Sequence, residues 1–266
     1  MYEKLTEMPS DWQVPDHDVR VLSPKISSDV LVIPVINEGQ RIQNQLRNIH
    51  ALKLGLDVII ADGGSTDGSL EPDFLASVGV RTLITKTGPG KLSAQLRCAY
   101  SWALLQGYEG IITVDGNGKD GMEALPEFRR LLTEGYMYIQ GSRYRPGGEA
   151  ENTPLSRTVG NRCVHAPMLS AAAGRWYSDT TNGFRGYSAD YLNHPEVRPF
   201  RDCFDQYELL FYLTVRAGQL GLKTTETPVR RSYPLDEAVP TKIKGMKGNV
   251  DLLKQAIGAA MGRYKP

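Results

Sequence analysis

The sequence predicts an α/β fold, with a mostly parallel central sheet flanked by helices and a C-terminal subregion on the same domain. Three observations predict it. Short β-branched apolar runs recur between stretches of helical period. Turns rich in Gly and Asp follow several of those runs. The intervening stretches are long enough for right-handed helical crossovers. A length of 266 residues with 41% hydrophobic content suits one large α/β domain, or a domain with a C-terminal extension.

Residues 1–28 are polar, carry Pro9, Pro15 and Pro24, and show no sustained period, which predicts an arm lying on the domain. Val30-Leu-Val-Ile-Pro-Val-Ile36 reads as a strand covered on both faces. Pro34 is placed near its end, where the lost donor matters least. Asn37-Glu38 then form a loop, and Ile42, Leu46 and Ile49 give a helical pattern. The unit repeats with Asp57-Val-Ile-Ile-Ala61 as a strand and Asp62-Gly-Gly-Ser-Thr-Asp67-Gly-Ser69 as a glycine-rich turn. Thr66 or Asp67 is the expected cap of the helix that follows. Val80 to Thr85 is a third strand, leading through Gly88-Pro-Gly-Lys91 into a helix from Leu92 to Gln106.

Ile111 to Val114 form the next strand, and Gly116 and Gly118 break it, leaving Asp115 at its carboxyl end. Open α/β sheets bind ligands there. Asp115, Asn117 and Asp120 offer hard oxygen ligands to a divalent cation, which could in turn hold a diphosphate. Taken alone, the same residues fit an ordinary polar turn equally well. A helix over Met122 to Leu132 and a strand over Tyr136 to Gly141 follow, and the alternation then stops. Ser142 to Pro154 is a long loop rich in Gly, Pro and Arg. Arg157 to Ala173 is a helix that Pro167 should kink or restart. Asp179 to Tyr187 is a polar turn entering a short strand. Tyr207 to Leu220 is an apolar helix, Lys223 to Val229 a strand, and Asn249 to Gly262 an amphipathic helix. The expected divisions are an arm over 1–28, an α/β core over 29–141, a second part of the same domain over 142–248, and a terminal helix over 249–266.

Charge and cysteine usage exclude several classes. With 31 basic and 30 acidic residues the net charge is +1, so no global field draws in nucleic acid or an anionic membrane, and any anion binding is local. Cys98, Cys163 and Cys203 are odd in number and widely spaced, which argues against a disulfide framework or a Cys-rich zinc site. No apolar signal-type core opens the chain, and no run of about 18 apolar residues could span a bilayer. The expectation is a soluble, cytoplasmic protein.

Several residues carry two readings. Lys91 could neutralise a diphosphate at a helix start, where free amides favour anions, or be a solvated lysine. Arg143 and Arg145 beside glycines suit bidentate phosphate clamping, or form a solvated cluster. Asp179 is a general base or a turn cap.

Six stretches together resemble the family 2 glycosyltransferases, and within them the dolichyl-phosphate mannose synthase-like branch. They are Ile33-Pro-Val-Ile-Asn-Glu38, Ala61-Asp-Gly-Gly-Ser-Thr-Asp-Gly68, Gly90-Lys91, Val114-Asp-Gly-Asn117, Gly141-Ser-Arg-Tyr144 and Thr181-Asn-Gly-Phe-Arg185. The resemblance covers about residues 30–245 and implies a GT-A fold, a GDP- or UDP-sugar donor, Mg2+ or Mn2+, and transfer with inversion. It implies that Pro34, Asn37 and Glu38 line the nucleoside pocket, with Asp62 on the base or ribose and Gly64 in the same turn. Asp115 and Asn117 stand where the family has its metal-binding Asp-x-Asp, with Gly116 between them. Arg143 and Arg185 would sit near phosphates, and Asp179 near the acceptor-side carboxylate.

The chain departs from the family pattern in three places. Only Asp62, followed by Gly63, remains of an acid pair; Asn117 replaces the second Asp; and the C-terminal phosphate motif is echoed by Arg230, Arg231 and Thr241-Lys242. The resulting expectation is a metal-assisted hexosyltransferase acting on a hydroxyl or phosphate acceptor, with a polyprenyl phosphate as one alternative. The others are a sugar-nucleotide pyrophosphorylase and a nucleotide-sugar-binding protein without turnover. A homodimer is among the assemblies this allows. Lys242, Lys244 and Lys247 are expected to form a lid over the diphosphate. Val250, Leu253, Ile257 and Met261 are expected to dock the last helix on the domain through its apolar stripe rather than on a membrane.

Overall fold

A computed structural model describes residues 7–234 and 245–266, with side chains in the last stretch described from Gly248 onward. The first half contains β1 (His17–Val21), β2 (Asp29–Val35), α1 (Gln40–Ala51), β3 (Asp57–Asp62), α2 (Pro72–Ser77), β4 (Thr82–Lys86), α3 (Leu92–Leu105) and β5 (Gly110–Thr113). Then come α4 (Leu125–Thr133), β6 (Tyr138–Ser142), β7 (Glu149–Glu151), α5 (Leu155–Val159), α6 (Ala166–Ala173), β8 (Arg185–Ser188) and α7 (Ala189–Leu192). The chain closes with α8 (Glu208–Gln219), β9 (Thr224–Pro228), β10 (Arg230–Ser232) and α9 (Gly245–Ala260). Among the described residues eight strands form one sheet in the order β1-β4-β3-β2-β5-β8-β6-β9, and β10 pairs with β7 in a second, two-stranded sheet, with Arg231 also bridging Asp120.

β2 is the buried centre, as its unbroken apolar run requires. Val30 and Val32 pack under α3 and α8, while Leu31, Ile33 and Val35 pack against α1, α2 and α4. This period-two division puts a helical layer on each face. Val35 turns its carbonyl to Gly63 at the end of β3, so Pro34 faces the β5 side. The register with β5 ends at Val32–Thr113, and the missing proline donor therefore breaks no ladder bond.

The structure departs from the expected pattern at three points, and the restart expected at Pro167 occurs. Part of the 1–28 arm joins the sheet, because β1 pairs antiparallel with β4 and covers what would be an open edge. Neither Thr66 nor Asp67 caps a helix: α2 starts later, at Pro72, and has no side-chain cap. Asp67 instead accepts the backbone N–H groups of Gly39 and Ser69. The helix containing Pro167 is interrupted by a π-turn over Gly160–His165, and α6 restarts with Pro167 in its first turn. The π-turn widens the helical ladder just ahead of Pro167, which cannot donate to it. Finally, α9 docks through its small residues. Ala256, Gly258 and Ala259 are buried, Ala256 and Ala259 against Leu169, Phe211 and Val215, whereas Val250, Ile257 and Met261 of the expected docking stripe point to solvent.

Gly218 on α8 is a further close approach, since an added Cβ would run into the backbone carbonyl of Ala173 on α6. Gly to Ala in a helix normally gains about 0.5–1 kcal/mol, but a clash with backbone costs about 1–3 kcal/mol. Gly218→Ala is expected to lower stability in urea unfolding. A gain of the full propensity term would contradict this packing.

Candidate active site

β5 and β6 run toward one edge of the sheet, and β8, antiparallel between them, starts from it. The loop entering β8 therefore lies over the loop leaving β5. Thr113 pairs with Arg185, and Gly183 is so close to Asp115 that any Cβ would strike the carboxylate. Beneath the loop, Gln45 of α1 donates to the Asp115 carbonyl at 3.0 Å and accepts from Gly118 N at 2.9 Å. These contacts fix where the Asp115 side chain points.

Asp115 Oδ2 accepts from Arg231 Nη2 at 2.8 Å and from Asn117 Nδ2 at 3.4 Å. Arg231 Nη1 donates to both oxygens of the fully buried Asp120 at 2.6 Å each. Burial works against the charge on Asp115, yet Arg231 and Lys119 hold its carboxyl below the usual range. Burial and the nearby Asp115 push Asp120 upward against the pull of Arg231. Burial, reinforced by Arg231 and opposed by Asp115, brings Lys119 down to about 8.

Asp115 keeps a partly exposed side chain, and Asn117 Oδ1 accepts only a 3.3 Å bond from Lys119 N. One carboxylate and one amide oxygen fit a hard cation that takes its other oxygens from substrate phosphates and water. Among the described residues no group of three or more His, Cys, Asp or Glu is placed to hold a metal.

Asp179, expected as a general base, is an ion-pair partner of Arg143 in this structure. It is fully buried, and its oxygens accept from Arg143 Nε at 2.7 Å, Arg143 Nη2 at 2.9 Å, Arg143 N at 3.1 Å and Asn161 Nδ2 at 3.0 Å. No face of the carboxylate is open to an acceptor, so Asp179 positions Arg143. Arg185 is likewise withdrawn from any phosphate. It lies buried beneath β8, donating to the carbonyls of Asn182 at 3.0 Å, Thr180 at 2.9 Å and Leu210. It staples the 180–182 turn to α8.

On the other side of β5, the loops after β2 and β3 are cross-linked. Asn37, at φ 49°, accepts from Thr66 N at 2.8 Å, and its own N–H donates to Ser65 Oγ at 3.0 Å. Asp62 Oδ1 accepts from Gly64 N at 3.1 Å and Ser65 N at 2.8 Å, with Gly64 at φ 93°. Glu38 lies 3.9 Å from Arg41. Gly116 permits close approach, since a Cβ would meet the Pro34 carbonyl at 2.9 Å. Lys91 reaches Gln206 Oε1 at 3.3 Å rather than the Asp115 loop. Lys242 lies outside the described residues.

A set of cations surrounds the buried Tyr233, and of these the sequence marked only Arg231, within the echoed phosphate motif. Lys119 Nζ is 4.9 Å from the ring centroid, the Arg157 guanidinium 5.6 Å and that of Arg231 5.9 Å. Arg157 Nη1 also lies 3.5 Å from the phenol oxygen. Burial alone would raise the phenol, but Arg231, Lys119, Arg143 and Arg157 bring it below its ordinary value.

A strand-end carboxylate, cross-linked loops beside it and a basic cluster opposite lie on one mixed sheet of the kind found in GT-A glycosyltransferases. The glucosyl-3-phosphoglycerate synthase of Mycobacterium tuberculosis, solved with Mn2+, UDP and phosphoglyceric acid, superposes with a TM-score of 0.62 at 17% identity over 88% of this chain and 78% of that one. No family model matches the chain. It is 28% identical over 213 residues to the undecaprenyl-phosphate mannosyltransferase of Micrococcus luteus, covering 74% of this chain and 81% of that protein. To the dolichyl-phosphate hexose transferase of Haloferax volcanii it is 27% identical over 233 residues, covering 88% and 90%. These likenesses make the chain similar to nucleotide-sugar glycosyltransferases of GT-A fold, polyprenyl-phosphate sugar transferases of the dolichyl-phosphate mannose synthase type among them.

Removing one partner of a buried ion pair costs about 3–5 kcal/mol, because the other charge is stranded. Asp179→Ala is therefore expected to lower stability strongly in denaturant unfolding. A variant of wild-type stability that had lost only turnover would restore the general-base assignment.

Proposed function

We propose that the protein transfers a hexose, with inversion, from a nucleoside diphosphate to the phosphate of a polyprenyl phosphate. The observation that carries this reading is the pairing of a fully engaged Asp179 with a basic cluster at Tyr233. A hydroxyl acceptor would need a base to take its proton. A phosphate monoester arrives already anionic and needs cations. The named activities of the relatives support the same acceptor class.

In this scheme the acceptor phosphate oxygen attacks the anomeric carbon from the face opposite the diphosphate. The bond from that carbon to the diphosphate breaks, and the nucleoside diphosphate leaves with the electron pair. No proton need move. Arg157 and Lys119 would hold the acceptor phosphate, with Arg143 kept in place behind them by Asp179. Asn37, Glu38, Asp62, Gly64 and Pro34 would form the nucleoside side. A divalent cation, Mg2+ or Mn2+, would be held by Asp115 and Asn117 and would supply charge stabilisation to the departing diphosphate. Asp115 and Asp120 formally balance Arg231 and Lys119. Neutralising a bound diphosphate therefore calls for charge from outside this group, which the cation provides.

Removing one preorganised electrostatic contributor typically costs about 100- to 1,000-fold in rate. Asp115→Asn is expected to lose at least that much turnover across a panel of UDP- and GDP-hexoses with Mn2+ or Mg2+. Arg157→Ala should raise the KM for polyprenyl phosphate and leave the calorimetric affinity for donor unchanged. An Arg157 variant that instead lost donor affinity would overturn the acceptor assignment.

A further inference from the structure

α5, the π-turn and α6 form one continuous helical segment with two different faces. Its inner face sends Arg157 to Tyr233 and Asn161 to Asp179. Its outer face leaves Leu155 76%, Val159 48% and Val164 42% exposed, and Trp176 just beyond it is 63% exposed. The π-turn matters for this spacing. Val164 follows Val159 by five residues, one step of an i to i+5 turn, and so stays on the same side.

α9 packs beside α6 over α8 and repeats the arrangement, with Val250, Ile257 and Met261 outward, the last 81% exposed. Seven of the thirteen exposed large apolar side chains among the described residues thus lie on two neighbouring elements. Scattered singles need no explanation, but a concentration on adjacent helices marks an interaction surface.

We infer that the outer face of the α5–α6 segment and α9 docks on an anionic lipid bilayer. Charge selects that occupant. Residues 155–176 and 248–266 carry six Lys and Arg against the single acid Asp251, in a chain whose net charge is only +1. Arg162, Arg175, Lys254, Arg263 and Lys265 are exposed around the apolar side chains. Apolar residues and a tryptophan ringed by cations match an interface-lying surface, and the cations draw it to anionic headgroups. Among the described residues no helix is long and apolar enough to cross a membrane, so the contact is peripheral. The inference deepens, and rests on, the polyprenyl-phosphate reading. A helix is about 10–12 Å across, so a lipid phosphate leaving the bilayer at the outer face has one helix to pass before reaching Arg157 on the inner one.

The test is flotation of the full chain with phosphatidylcholine vesicles, with and without phosphatidylglycerol, and with no polyprenyl phosphate present. The wild type should float with the phosphatidylglycerol vesicles and be released by salt. Leu155→Ser/Met261→Ser should bind about tenfold more weakly, while Val19→Ser, on the distant edge strand, should float like wild type. Circular dichroism melts establish that each variant is folded. Failure of the wild type to float, flotation of the double variant at wild-type level, or a solution dimer that this variant dissolves would each overturn the proposal, the last by assigning the face to a second copy. A water-soluble short-chain prenyl phosphate separates the two readings. Flotation without transfer to it would leave the docking face standing and remove the acceptor, and transfer without flotation would do the reverse.

Discussion

The Arg231 guanidinium, shared between Asp115 and Asp120, is the interaction on which the site depends. Asp115 ends β5, Asp120 lies in the loop that follows, and Arg231 comes from β10, more than a hundred residues later. The shared cation therefore ties the basic cluster at Tyr233 to the loop after β5. It is costly to bury and worse to break, since Asp120 left without it would be an uncompensated buried charge. Its charge also sets the neighbours: Asp115 stays ionised, Lys119 is weakened as a cation, and Tyr233 is drawn toward its anionic form.

The antiparallel insertion of β8 is what makes that closure reach the chemistry. Because β8 starts where β5 and β6 end, the turn before it lands on Asp115 and brings Asp179 to Arg143. A fully parallel sheet would carry this turn to the opposite edge. The fold thus converts a topological exception into a two-sided site, with crossed loops at Asn37 and Asp62 on one side and the Tyr233 cations on the other.

Much of this was legible in the sequence because it is local. The runs at Val30, Asp57 and Ile111 declare buried strands, and the glycines after Val114 place Asp115 at a strand end. What was not legible depends on partners distant in the chain. Asp179 and Arg143 both read as active groups until their mutual ion pair, across 36 residues, removes Asp179 from solvent. Arg185 reads as a phosphate ligand, but its register opposite Thr113 sends it under the sheet to three backbone carbonyls. Helix α9 misleads for a related reason. Periodicity identifies its apolar stripe but not which face a neighbour accepts, and the small face of Ala256, Gly258 and Ala259 fits the α6–α8 groove more closely.

The central claim is that the nucleophile is a phosphate oxygen and needs no protein base. Phosphorus-31 NMR of a reaction containing donor, divalent cation and a prenyl phosphate tests it most directly. The account predicts that the acceptor monoester resonance is replaced by a phosphodiester resonance coupled to an anomeric proton of inverted configuration. An intact monoester resonance, with the hexose found instead on a hydroxyl oxygen, would contradict it.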